Sequence, residues 1–325
     1  MVPGGPARIG RHVIVRVGSN LERVLDAGHF AVTAEVGPPR GPDPAAVRVK
    51  AGLVRGIADA YNVTDNQTAV VRMSSIAAAR ILLDEGLEPV MQMTCRDRNR
   101  IAVQSDLLGA SALGIRNCLC LSGDHQKSGA SGKLKGHPGA KNVYDIDSIQ
   151  LISIIKRLRD DARQEGGDPI APAAPFFIGA AWTPLSPPQE FRTIRLAKKI
   201  DAGADFIQTQ AVYDVPRFAE AVKKARDMGL TRRVAILPGI IVPRSAGMLT
   251  YMKERVPGVE VPENLLARMK SASDAREEGM RIAIELIRAV KEIPGVRGVH
   301  LQAIESEGVL PEIAERAGLL PRPRL

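Results

Sequence analysis

Aromatic residues are scarce: one Trp, four Tyr and six Phe, only 3% of 325 residues. The 45% of the chain that is hydrophobic must therefore build its core from Ala, Val, Ile and Leu. Buried parallel strands are aliphatic runs of this kind, so the shortage favours an α/β architecture. The only cysteines are Cys95, Cys118 and Cys120. They supply neither a disulfide framework nor a C-x-x-C motif. Cys118 and Cys120 alternate with Asn117, Leu119 and Leu121, which puts both on one strand face as small core residues. The histidines, at 12, 29, 125, 137 and 300, are scattered without zinc spacing, so no catalytic metal is expected. No run approaches the roughly 20 apolar residues of a membrane span. The N-terminus carries Arg8, Arg11 and Arg16 without a continuous apolar stretch, unlike a secretory signal. These absences point to a soluble protein of the reducing cytoplasm.

Positive charge is plentiful, with a formal net charge of +9. Lys and Arg are spread along helical segments among nearly as many acids, with no aromatic-interleaved basic segment. Nucleic acid is therefore not the expected partner. A cationic mouth for a phosphorylated or polycarboxylate ligand is the better use of the charge.

Eight short apolar runs recur: "FAVTAEV" (30–36), "ADAYNVT" (58–64), "EPVMQMT" (88–94), "NCLCLSG" (117–123), "PFFIGAA" (175–181), "FIQTQAV" (206–212), "VAILPGI" (234–240) and "VHLQAI" (299–304). Helical patterns fill the intervals at 44–56, 74–86, 98–113, 148–164, 188–202 and 215–228, with at least two pieces within 262–293. Strand and helix alternating eight times predict a (β/α)₈ TIM barrel. The alternative is an open doubly wound sheet, which would usually show a glycine-rich turn after its first strand. Here that turn is "GPPRGPD". The stretch "SGASGKLKG" (128–136) lacks P-loop spacing and reads as a mobile loop, a candidate lid. Residues 1–28 read as an extension whose helix closes the barrel bottom, 29–310 as the barrel with an extra helical segment before strand eight, and 311–325 as a C-terminal tail whose end, "LPRPRL", is loose.

Barrel active sites lie at the C-terminal strand ends. There the sequence places Glu35, then Thr64 with Asp65 and Asn66, Gln92 and Thr94, Asp124 in "LSGD", Trp182, Gln208 and Gln210, and His300 and Gln302. Each alone has a plain structural explanation. A Thr or Gln often satisfies nearby backbone, an Asp often caps the next helix, and a Trp packs. Together they suggest a pocket for a polar, ring-shaped ligand. Glutamines both donate and accept, as the edge of a flavin or pterin requires.

The segments "AEVGPPR", "NVTDNQT", "QMTCRDRNR", "LSGDH", "DAGADFIQTQAVYD" and "ILPGI" stand in the order and spacing of the methylenetetrahydrofolate reductase family. The chain resembles that family over roughly residues 25–305. The resemblance implies a (β/α)₈ barrel that holds a flavin, FAD or FMN, and reduces 5,10-methylenetetrahydrofolate to 5-methyltetrahydrofolate in one-carbon metabolism. By motif match, Glu35 and Asp124 are the implied catalytic carboxylates. Gln210 is implied to contact the folate, and Gln302 on strand eight is a second substrate-binding candidate. Thr64, Gln92, Ser122, Gly123, Asp124, Tyr144, Trp182 and Lys199 fall at flavin-contact positions. The sequence departs from the pattern in places. Ser122 stands where many members have Arg, and Gln92 where many have His. Trp182 replaces a frequent Tyr, and Arg192 and Arg195 replace Asp and Asn near the cofactor's adenosine. The insertion at 125–143 is similar to that of a subgroup from anaerobes, some of which work with a partner subunit.

On this resemblance Glu35 is the expected general acid, and Asp124 the ionised group that stabilises a cationic intermediate. NADH, NADPH or a partner electron-transfer subunit is the implied donor, and a homo-oligomer is expected. A docking scaffold without chemistry and a pterin-binding methyl-transfer barrel are the rival readings.

Overall fold

The computed structural model describes residues 17–126 and 136–325. Its strands are β1 (Ala31–Glu35), β2 (Ala60–Val63), β3 (Pro89–Thr94), β4 (Asn117–Leu121), β5 (Phe177–Trp182), β6 (Phe206–Ala211), β7 (Ala235–Ile241) and β8 (Gly298–Gln302). Every neighbouring pair is parallel, and β8 pairs with β1 to close the barrel. The (β/α)₈ architecture expected from the aliphatic runs is the one observed.

The helices are α1 (Asn20–Asp26), α2 (Pro44–Val54), α3 (Ser75–Asp84), α4 (Arg100–Ala112), α5 (Ser148–Lys156), α6 (Glu190–Ala202), α7 (Val215–Asp227), α8 (Ala246–Arg255), α9 (Glu263–Ser271), α10 (Ala275–Lys291) and α11 (Leu310–Arg316). Local chemistry sets their starts. Asp43 accepts from the Ala45 N–H just before Pro44, and Asp147 and Gln150 form a reciprocal capping box.

Helix α1 closes the bottom. Leu21, Val24 and Leu25 pack with the lowest inward residues of the strands, including Ala31, Val90, Phe177 and Phe206. The Glu88 carboxylate accepts from the Asn20 and Leu21 amides at 2.5 and 3.0 Å. Phe177 and Phe206 stack inside with centroids 5.2 Å apart. Gly179 makes room for them, since a Cβ there would lie 2.3 Å from the Phe206 ring.

Above this apolar plug sits a buried polar layer. Asn62 Nδ2 donates to Gln208 Oε1 at 2.6 Å, and Gln208 Nε2 donates to Thr33 Oγ1 at 3.0 Å. Thr33 Oγ1 and His300 Nδ1 are 2.9 Å apart. Burial pushes the His300 imidazole down to about 3, so it is neutral. Gln208 and His300 were expected at the mouth, but both lie in this layer beneath it.

Two segments differ from expectation. Helix α8 was not foreseen, because only Leu249 and Met252 face the core and the stripe is too thin to read. The C-terminal segment is not a loose tail. It forms α11, and Arg322 then reaches under the barrel to the buried Asp59, with Nη2 to Oδ2 at 2.5 Å. The stretch 128–136 read as a lid falls almost wholly on residues 127–135, outside the described residues, as do the N-terminal arginines.

Candidate active site

At the C-terminal end of the barrel a cavity of about 610 Å³ opens. Glu35, Gln210, Lys50, Arg72, Glu305 and Glu307 supply its polar lining, and Ile241, Tyr251, Met252, Val256 and Val259 an apolar wall. Three of those wall residues come from α8 or its end, so the helix that the sequence concealed forms one side of the site.

Glu35 is the last residue of β1, where the pleat turns its side chain inward. Its Oε2 accepts a 2.8 Å hydrogen bond from Gln302 Nε2 at the end of β8. Burial pushes the carboxyl above the ordinary carboxylate range, and the charge of Glu307 acts in the same direction. The Gln302 amide, Lys50 and Arg72 oppose that shift. Gln302, a substrate-binding candidate in the sequence, is thus committed to Glu35 here.

Gln210 reaches the cavity through an irregularity in β6. The β6–β7 register slips between Gln208 and Ala211, so three steps on β6 face two on β7. Such bulges re-aim side chains. Gly239 makes the slip feasible, because a Cβ there would lie 2.6 Å from the Thr209 carbonyl oxygen.

The loop after β2 is the most strained part of the mouth. Asn66, Thr68 and Ala69 all have positive φ without being glycine. Such residues cost roughly 1–3 kcal/mol each and persist only where the surroundings hold them. Here Asp124 Oδ2 accepts from the Thr68 amide at 2.8 Å, and Arg96 donates to the carbonyls of both Asp124 and Asn66. Asp124 therefore does not line the cavity; it clamps the loop that does. Arg96 lies within "QMTCRDRNR", but nothing in the motif singled it out. Its almost fully buried side chain joins the ends of β3 and β4 to this loop.

The remaining candidate residues do not line this cavity. Tyr144 donates to the Gly123 carbonyl at 3.2 Å. Thr64 is buried, and its Oγ1 has no hydrogen-bond partner. Gln92 is buried on β3. A second cavity, of about 230 Å³, is lined by Ser122, Trp182, Arg192, Arg195 and Lys199 among others. Trp182 points outward from β5, with Nε1 donating to the Arg192 carbonyl at 3.1 Å. Lys199 donates to the Ala181 carbonyl at 2.5 Å, and burial pushes it down to about 8. Among the described residues no group of three or more His, Cys, Asp or Glu could hold a metal ion. No described helix is long and apolar enough to cross a membrane.

The methylenetetrahydrofolate reductase family model matches residues 20–318. The chain belongs to that family. The family is generally flavin-dependent. Among curated relatives, a "Probable methylenetetrahydrofolate reductase (NADPH)" of Caenorhabditis elegans is 27% identical over 263 residues, 78% of this chain and 36% of that protein. "Methylenetetrahydrofolate reductase 1" of Schizosaccharomyces pombe is 28% identical over 74% of this chain and 37% of its own length. The chain thus spans little more than a third of these two relatives. A "5,10-methylenetetrahydrofolate reductase" of Pectobacterium carotovorum is 25% identical over 73% of this chain and 72% of its own. In fold, the chain is similar to an uncharacterized Clostridium thermocellum protein whose structure binds two copies of 5-methyl-5,6,7,8-tetrahydrofolic acid. That likeness has a TM-score of 0.60 at 15% identity, covering 93% of this chain and 99% of the other.

Proposed function

We propose that this chain reduces 5,10-methylenetetrahydrofolate to 5-methyltetrahydrofolate, with Glu35 as the general acid. The observation that carries the reading is a buried carboxyl, raised in pKa and oriented by Gln302, in an otherwise largely apolar cavity beside Gln210. The five-membered ring of the substrate must open before its methylene carbon can accept hydride. Opening breaks the bond from that carbon to N10, and N10 needs a proton. A carboxyl held above its ordinary pKa keeps one near neutral pH. Glu35 gives its proton to N10 as that bond breaks, leaving a cationic iminium at N5. The Glu35 carboxylate so formed, still hydrogen-bonded to Gln302, stabilises that cation. Gln210 holds the pterin edge, donating and accepting through one amide. The wall of Ile241, Met252, Val256 and Val259 keeps water from the iminium.

The residues around the mouth fit a flavin nucleotide. Arg192, Arg195 and Lys199 surround the second cavity with positive charge, and Ser122 adds a hydroxyl, a donor set suited to a phosphate end. The buried Thr64 hydroxyl lacks a partner that a flavin edge would supply. Thr64, Gln92, Gly123 and Asp124 would hold the ring portion and Tyr144 would flank it, while Trp182 would lie with the arginines at the phosphate end. When bound, the flavin supplies the hydride. Asp124 holds Thr68, which lines the folate cavity. A pyridine nucleotide or an electron-transfer subunit is the reductant in this reading.

The test is direct. The purified protein is examined by visible spectroscopy and then mixed anaerobically with 5,10-methylenetetrahydrofolate and NADH, NADPH or dithionite. Flavin absorbance and formation of 5-methyltetrahydrofolate are expected. A colourless protein that takes up neither FMN nor FAD refutes the cofactor assignment, and absence of product with every reductant refutes the activity.

A further inference from the structure

Most charged groups lining the larger cavity have a partner. Lys50 and Glu307 pair at 2.7 Å, Glu305 lies 3.8 Å from Arg244, and Glu35 accepts from Gln302. Arg72 makes no ion pair among the described residues. Its Nη1 donates to the Pro38 carbonyl at 3.1 Å, while its Nε is buried with no partner. The Nε–Nη2 edge thus has no hydrogen-bond partner among the described residues. That edge is the planar fork that matches a carboxylate with two parallel hydrogen bonds.

The backbone fixes Arg72 in place. Its amide donates to Asn66 Oδ1 at 2.9 Å, within the strained loop clamped by Asp124 and Arg96. Burial lowers the basicity of Arg72, and the like charge of Arg40 adds to that effect. A partly desolvated cation beside a second cation is costly unless an anion joins it. The carboxyls that act on it are those of Glu305, whose side chain is 78% exposed and screened by solvent, and of Glu35, which is already held by Gln302; neither forms an ion pair with it.

We infer that Arg72 determines specificity for the anionic tail of the ligand, taking one carboxylate of the glutamyl group through its Nε–Nη2 edge while Arg40 adds attraction at longer range. The inference rests on the folate reading above and names which end of that ligand this loop recognises.

The test compares two ligands that share the pterin end, 5-methyltetrahydrofolate and the 5-methyltetrahydropteroate that lacks the glutamyl group. Both are titrated into the full chain by calorimetry. A charged hydrogen-bonded pair corresponds to roughly tenfold or more in affinity, so the wild-type protein should favour the tailed ligand by about that factor. Arg72→Met should abolish the preference and leave binding of the tail-less ligand within about twofold of wild type. Arg72→Lys should restore only part, since an ammonium lacks the fork. A preference retained in Arg72→Met, or absent from the wild type, overturns the inference alone. Failure of the wild type to bind either ligand overturns the folate reading as well. Should Arg72→Met bind neither, Arg72→Lys decides: a reduced preference supports the inference and an unchanged one overturns it.

Discussion

Replacing Gln302 with Leu removes the one side-chain hydrogen bond to the Glu35 carboxylate among the described residues, at 2.8 Å. A hydrogen bond to a charged group contributes roughly 1.5–3 kcal/mol. At about 1.4 kcal/mol per pKa unit this bounds the shift at roughly one to two units. Water entering beside Leu would recover part of it, so about one unit is expected. The direction follows from the bond, which favours the ionised form: its loss raises the Glu35 pKa further. A general acid works only while protonated, so the rate falls as pH rises through its pKa. The assay is the pH profile of single-turnover folate reduction. Its falling limb should move to higher pH by about one unit in Gln302→Leu. A limb that stays, or moves to lower pH, refutes the reasoning. Weaker substrate binding with an unmoved limb would return Gln302 to the substrate-contact role expected from its place on strand eight.

Three further outcomes follow from the same contacts. Glu35→Gln should stabilise the fold near neutral pH. The raised carboxyl favours folding only while protonated, and that contribution fades as pH climbs above about 4.5, the ordinary value; the gain in Tm should be present at pH 8 and gone at pH 4. Lys199→Ala should weaken FMN binding by roughly tenfold. In the wild type that affinity should itself decline as pH rises through about 8, where the lysine loses its charge, and fluorescence titration reads both effects. Arg322→Met leaves Asp59 buried without its ion-pair partner and should cost about 3 kcal/mol in denaturant unfolding; a change under 1 kcal/mol would show that the C-terminal segment is not anchored there.

The barrel was legible because its strands are aliphatic runs with turn residues between them, a pattern that survives without aromatics. Glu35 and Gln210 were legible for the same reason, as polar residues at the ends of such runs. Burial partners were not. Thr64, Gln92, Gln208, His300 and Gln302 look alike as polar strand residues, yet two lie a layer beneath the mouth and one binds Glu35. The pleat gives the face of a strand residue, but its height in the barrel depends on how neighbouring strands are staggered. Arg96 and Arg72 were hidden differently. Surface arginines are common, and only the long-range contacts of Arg96 and the missing partner of Arg72 set them apart.

Proton delivery by Glu35 is tested most directly by single-turnover conversion of 5,10-methylenetetrahydrofolate to 5-methyltetrahydrofolate by Glu35→Gln protein at neutral pH. Gln conserves shape and hydrogen bonding but has no acidic proton. General acid catalysis is typically worth 10²–10⁴-fold, so a loss of roughly that size is expected, with 5-methyltetrahydrofolate bound as tightly as by the wild type. A rate within a few-fold of wild type would contradict the account.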